Sequence, residues 1–158
     1  MNNVHITEYD VYKEGEENMD PYRCIVDTGC SKMVTGSMWM DVFIESKGEN
    51  VKIRTGRENE SFRFGPSDIY KSKVYYEIEV EIDNLKEKIK VSVVEANIPL
   101  LLGLEYQKKW GMVIDLGKQE IFIRKSRDKF KKEKETNHWR LPIQKKSCTK
   151  RRRTWCSR

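Results

Sequence analysis

Long hydrophobic runs are missing from this chain. The longest apolar stretches are a handful of residues, far short of a membrane span. The first residues, Met1-Asn2-Asn3-Val4-His5, carry no apolar signal core. An intracellular, cytoplasmic setting without membrane association is expected. Cysteine is also scarce: Cys24, Cys30, Cys148 and Cys156 are the four, and none forms the short C-x2-C pairs of zinc sites. Free thiols in a reducing compartment are expected, with no metal and no cofactor. Apolar residues make up 37% and charged residues 35%, low and high for a compact globule.

The charge is unevenly spread. From Arg124 onward there are 15 Lys/Arg against 3 Asp/Glu, so the remaining 123 residues carry 16 against 22. A mildly acidic body is followed by a basic segment. Three parts are expected: a polar leader over 1–20, one folded domain over 21–123, and a basic tail over 124–158 too polar to fold alone. The leader holds at most a weak strand at Val4–Ile6. Within the tail, Trp139, Leu141, Pro142 and Ile143 form a small apolar patch able to dock on something.

The clearest pattern runs from Val74 to Val94. Val74, Tyr76, Ile78, Val80 and Ile82 alternate with Tyr75, Glu77, Glu79 and Glu81, a period of two that specifies a strand. Asp83-Asn84 supplies a two-residue turn. The register that follows sets Glu81 opposite Lys86, Glu79 opposite Lys88 and Glu77 opposite Lys90. On the other face it sets Ile82 on Leu85, Ile78 on Ile89, Tyr76 on Val91 and Val74 on Val93. Glu87, opposite Val80, does not fit. Shorter strands are expected at Tyr22–Val26, Met33–Thr35, Val51–Thr55, Ile98–Leu102, Met112–Asp115 and Glu120–Ile123. A polar turn is expected over Gly56–Glu60. Short helices are expected over Ser37–Ser46, with Ser37 as N-cap, and over Leu104–Trp110, stopped by Gly111. Ser61-Phe62-Arg63-Phe64 and Ile69-Tyr70 flank a turn expected at Gly65-Pro66-Ser67-Asp68.

Two stretches carry chemistry. In Cys24-Ile25-Val26-Asp27-Thr28-Gly29-Cys30-Ser31 an apolar strand delivers an acid, a hydroxyl residue and a glycine, as a carboxylate catalyst emerging from a sheet requires. About 70 residues on come Ile98-Pro99-Leu100-Leu101-Leu102-Gly103-Leu104-Glu105-Tyr106 and then Trp110-Gly111-Met112-Val113-Ile114-Asp115-Leu116-Gly117. A third tripeptide, Asp115-Leu116-Gly117, lacks the hydroxyl and reads as a turn between two strands.

Across Cys24–Ile123 the chain resembles the retropepsin-like aspartic proteases of retroviruses and LTR retrotransposons. Asp27-Thr28-Gly29 matches that family's catalytic loop, and Leu101-Leu102-Gly103 its apolar-apolar-glycine motif. Cys30 stands where the family mostly has Ala or Ser, and the glycine-poor hairpin around Gly65 departs from its usual flap. The resemblance implies an all-β fold: a closed, barrel-like sheet with a flap hairpin and one or two short helices. It also implies a homodimeric endopeptidase that cuts a peptide or polyprotein substrate. Asp27 would be catalytic. Thr28 and Gly29 would support the loop, Phe64 and Gly65 would close over substrate, and Leu102 and Gly103 would pack beneath. Because a single such loop is present, two copies are needed to bring two carboxylates together. Two alternatives belong to other classes: a catalytically silent dimerisation or peptide-binding module, and nucleic-acid binding through 124–158.

Overall fold

The computed structural model describes residues 3–7, 20–66, 68–132 and 138–145. Expectations for Ser67, Cys148, Cys156, most of the leader and the end of the basic segment lie outside them. The described chain is mostly β, with two helices. In order, the strands are β1 (Asn3–Thr7), β2 (Arg23–Val26), β3 (Val34–Gly36), β4 (Arg54–Phe64), β5 (Ile69–Ile82), β6 (Leu85–Val94), β7 (Leu101–Leu102), β8 (Met112–Asp115), β9 (Glu120–Ile123), β10 (Asp128–Lys131) and β11 (Trp139–Pro142). Helix α1 covers Ser37–Lys47 and α2 covers Leu104–Trp110.

Eight strands form one sheet in the order β1-β4-β5-β6-β3-β7-β2-β11, and three form a second in the order β10-β9-β8. The strand order of the large sheet runs from β1 to β11, and the chain just past β11 comes back to β5, where Glu81 N–H donates to the Ile143 carbonyl at 2.7 Å. Pro142 has no N–H to donate to a further strand, and an edge is where a sheet tolerates proline.

The β5–β6 hairpin has the expected register: Glu77 faces Lys90, Glu79 faces Lys88 and Ile78 faces Ile89, with Asp83 in the turn at φ 47°. The apolar face, Ile78, Val80, Ile82, Leu85, Ile89 and Val91, is almost wholly buried. Several charges on the other face find partners outside the hairpin. Glu77 reaches Arg54 at 3.9 Å, Glu81 reaches Lys145 at 3.5 Å, and the Lys90 ammonium lies 4.1 Å from the Tyr75 ring centre. Glu87, the misfit, pairs with Lys125 and Lys109, and these cations hold its carboxyl below the usual range.

Three expectations are corrected. Gly56–Glu60 is not a turn but the middle of β4, carried past Arg57 by a register shift. The Tyr75 ring covers Gly56 closely enough that an added Cβ would lie 2.4 Å from it. Strand formation here comes from pairing to the amphipathic β5, which local polarity could not report. Ser37 does not cap α1: Gly36 occupies the cap, and the Ser37 hydroxyl donates to Glu95 at 2.9 Å. An added Cβ at Gly36 would lie 1.9 Å from the Ala96 carbonyl oxygen, so close approach decides that position.

The third correction concerns the basic segment, which supplies β10 and β11. Alternation explains it: Leu141 and Ile143 are buried at 0% and 1% exposure, and Trp139 packs against the same core. Its backbone is tied in as well, because Ile143 N–H donates to Tyr22 and Ile143 carbonyl accepts from Glu81. Asp128 turns inward, where its carboxylate accepts from the Asn84 backbone at 3.1 Å and side chain at 2.9 Å. High net charge concealed an every-second-residue apolar signal.

Candidate functional site

Asp27 stands just past the end of β2, between β7 and β11 in the large sheet. β2 runs parallel to β7, pairing Ile25 with Leu101 and Val26 with Leu102. On its other side it runs antiparallel to β11, pairing Cys24 with Leu141. Burial of Ile25, Val26, Leu101 and Leu102 on both faces accounts for the unbroken apolar run in each strand.

The loop that follows is held almost entirely through its backbone. Asp27 N–H donates to Leu102 at 3.1 Å, and Ile25 N–H to Leu100 at 2.9 Å. The first turn of α2 faces the loop: Leu104 N–H donates to the Cys30 carbonyl at 2.8 Å and Glu105 N–H to Ser31 at 3.1 Å. Glu105 Oε1 accepts from Met33 N–H at 3.4 Å. The buried Gln107 side chain donates from Nε2 to the carbonyls of Leu102 at 2.7 Å and Asp27 at 3.2 Å. Lys32 of the loop is tied to Glu60 of β4 at 3.0 Å.

Gly103 has a steric reason for its identity. A Cβ there would sit 2.4 Å from the Lys32 carbonyl oxygen and 2.5 Å from its carbon. Both neighbours are backbone atoms, so neither can move aside cheaply. Leu102 and Gly103 thus lie directly against the Asp27 loop.

The Asp27 side chain accepts from Gly29 N–H through Oδ1 at 2.9 Å and remains partly exposed, while Thr28 and Gly29 are exposed. A carboxylate on a rigid backbone, beside an exposed hydroxyl and an exposed glycine, has the elements of an acid–base site open on one side. Cys30 is buried under it, and burial pushes its thiol up to about 12. The nearby negative charges of Asp27 and Glu105 act in the same direction. Cys30 S–H donates to the Lys32 carbonyl at 3.0 Å, so this cysteine is a packed loop residue and not a nucleophile.

Phe64 and Gly65 stand elsewhere. Gly65 takes the left-handed conformation, φ 61°, at the tip of the β4–β5 hairpin, which suits glycine. Phe64 is 1% exposed, packed with Phe62 at 6.3 Å and Tyr70 at 5.7 Å between ring centres. It belongs to a cluster with Ile25, Cys30, Val34 and Leu101, so in this conformation its ring supports the Asp27 loop instead of lining an open cleft.

Sequence reasoning did not single out Gln107, Glu105 or the Lys32–Glu60 pair. Gln107 lies four residues after Gly103, one helical turn along, and that spacing is its only trace in the sequence. Among the described residues no three His, Cys, Asp or Glu side chains stand close enough to hold a metal ion. No helix among them is long and apolar enough to cross a membrane.

No protein-family profile matches the chain, and no curated protein matches it. Among solved structures it is similar to the retroviral protease-like domain of Ddi1 from Leishmania major. Identity is 15% over 79% of this chain and 88% of that one, with a TM-score of 0.38. A likeness at that level carries no residue correspondence.

Proposed function

We propose that the chain is one half of an aspartic endopeptidase, completed when a second copy sets its own Asp27 beside the first. The observation that carries this is the Asp27 loop, where a partly exposed carboxylate sits on a backbone held by Leu102, Gln107 and the start of α2, with Thr28 and Gly29 exposed beside it. Two carboxylates a few ångströms apart share one proton. One then takes a proton from a bound water as the other protonates the peptide carbonyl, with no metal and no covalent intermediate. Thr28 braces the partner loop and Gly29 faces the substrate backbone. A peptide or polyprotein chain is the substrate class, and the dimer is an intracellular assembly without cofactor.

A second reading is favoured by the hairpin. With Phe62 and Phe64 buried against the loop, a catalytically silent module that only dimerises or binds peptide is the alternative. A peptide-library cleavage assay separates the two. The enzyme reading expects cleavage that vanishes with Asp27→Asn and collapses on dilution below the dimer dissociation constant. It also expects a bell-shaped pH profile, because gain or loss of the shared proton stops the reaction. Cleavage undiminished by Asp27→Asn would overturn it.

A further inference from the structure

The three-stranded sheet has a face the site does not use. Ile114, Ile121, Ile123 and Phe130 point into the main core. Strand alternation sends the intervening residues outward, and the register sets Val113 beside Phe122 and Phe122 beside Lys129 across all three strands. Val113 is 39% exposed and Phe122 half-buried. Together they form the floor of a shallow depression whose remaining walls are Arg124, Lys125 and Arg127.

The electrostatics of this face are one-sided at its β9–β10 end. Asp128 is the single acid within 124–131, and it is turned inward onto Asn84. Lys125 is committed to Glu87, and Lys131 reaches Glu120 at 3.8 Å at the far end of the strands. Arg124, Arg127 and Lys129 are exposed around the aromatic ring. Beyond residue 145 the sequence adds 6 Lys/Arg and no acid, which strengthens attraction for a polyanion.

We infer that the outer face of β8–β10 binds single-stranded nucleic acid, with a base stacked on Phe122 beside Val113 and phosphates held by Arg124, Arg127 and Lys129. The ring selects this occupant. An acidic peptide or a sulfated sugar needs the cations alone, whereas an unpaired base offers a flat π-surface to an aromatic on an open sheet. Duplex bases are stacked on each other and do not offer that surface. The inference does not depend on Asp27 and stands or falls separately from proteolysis.

Anisotropy titrations of the full chain with a fluorescein-labelled oligothymidine, repeated over a range of salt, test it. The double variant Arg124→Gln/Arg127→Gln should lower the slope of log affinity against log salt by about 1.4, two phosphate contacts on a single strand. Phe122→Leu should weaken binding at least fivefold, roughly the loss of one stacked base, and leave the salt slope unchanged. Phe122→Tyr, which keeps the ring, should bind as the parent does, and this holds the test open if the leucine variant folds poorly. Heparin, a polyanion without bases, should be indifferent to Phe122→Leu. Equal oligothymidine affinity for parent and Phe122→Leu would overturn the inference, as would an unchanged salt slope in the arginine variant. Polyglutamate competing as well as oligothymidine would also overturn it.

Discussion

Two Asp-x-Gly turns occur in this chain, at Asp27-Thr28-Gly29 and Asp115-Leu116-Gly117. In each the aspartate Oδ1 accepts a backbone N–H of its own turn at 2.9 Å, from Gly29 in one and from Lys118 in the other. Their surroundings differ. The first leaves a strand paired on both sides and buried on both faces, and its carbonyls are taken by Leu104, Glu105 and Gln107. The second joins the antiparallel strands β8 and β9 at the surface, with Leu116 74% exposed. A side chain can close either turn, but only packing from distant segments makes one of them rigid enough to orient a catalytic group.

The largest contrast expected is in activity. Asp27→Asn should cut peptide cleavage by about a thousandfold or more, the scale of losing an acid–base group. Asp115→Asn should leave turnover at the parent level. Equal losses would erase the distinction between the two turns.

Next comes stability. Gly103→Ala forces a methyl against the Lys32 backbone and should cost about 3 kcal/mol or more. At Gly117 the nearest atom to an added Cβ is Asp115 Oδ1 at 3.4 Å, so Gly117→Ala should stay within about 0.5 kcal/mol of the parent. Denaturant midpoints compared at constant slope decide this, and a tolerated Gly103→Ala would mean that the loop does not sit tightly on β7.

Gln107→Ala should have a smaller effect, about 1–3 kcal/mol, because it leaves the carbonyls of Asp27 and Leu102 without that donor. If the side chain orients the Asp27 loop, the turnover number should fall more than KM rises. A change in KM alone would point to a different role.

The last difference has no effect at neutral pH. Burial raises both the Cys24 and Cys30 thiols from 9.0 to about 12. A raised folded-state value means that their contribution is fully present below pH 9.0 and is lost as pH climbs toward about 12. Chemical melts between those limits should show stability falling, and Cys24→Ala/Cys30→Ala should flatten the fall. In the native protein near pH 8, mass mapping after alkylation should find both thiols protected. Rapid labelling of Cys30 would show that the Asp27 loop opens.

Local pattern carried the β5–β6 hairpin down to its register, because period-two alternation and a turn that accepts positive φ are properties of consecutive residues. The same holds for α2, stopped by Gly111 at φ 66°, whereas of the apolar run over Ile98–Leu102 only Leu101–Leu102 becomes strand β7. Asp27 itself was visible as an acid delivered by an apolar strand. What lay beyond local reading involves partners far apart in sequence. Gln107 meets Asp27 across 80 residues, Lys32 meets Glu60 across 28, and Asp128 meets Asn84 across 44. β4 becomes a strand through its pairing with β5, and β11 joins the sheet because Leu141 and Ile143 find a core waiting for them. Side-chain periodicity is written residue by residue, so the sequence by itself determined the β5–β6 hairpin, its register and its inner face. Which edge each strand meets, and which carbonyl a buried amide must satisfy, depends on the closure of long loops around one core, and only the tertiary structure decided those.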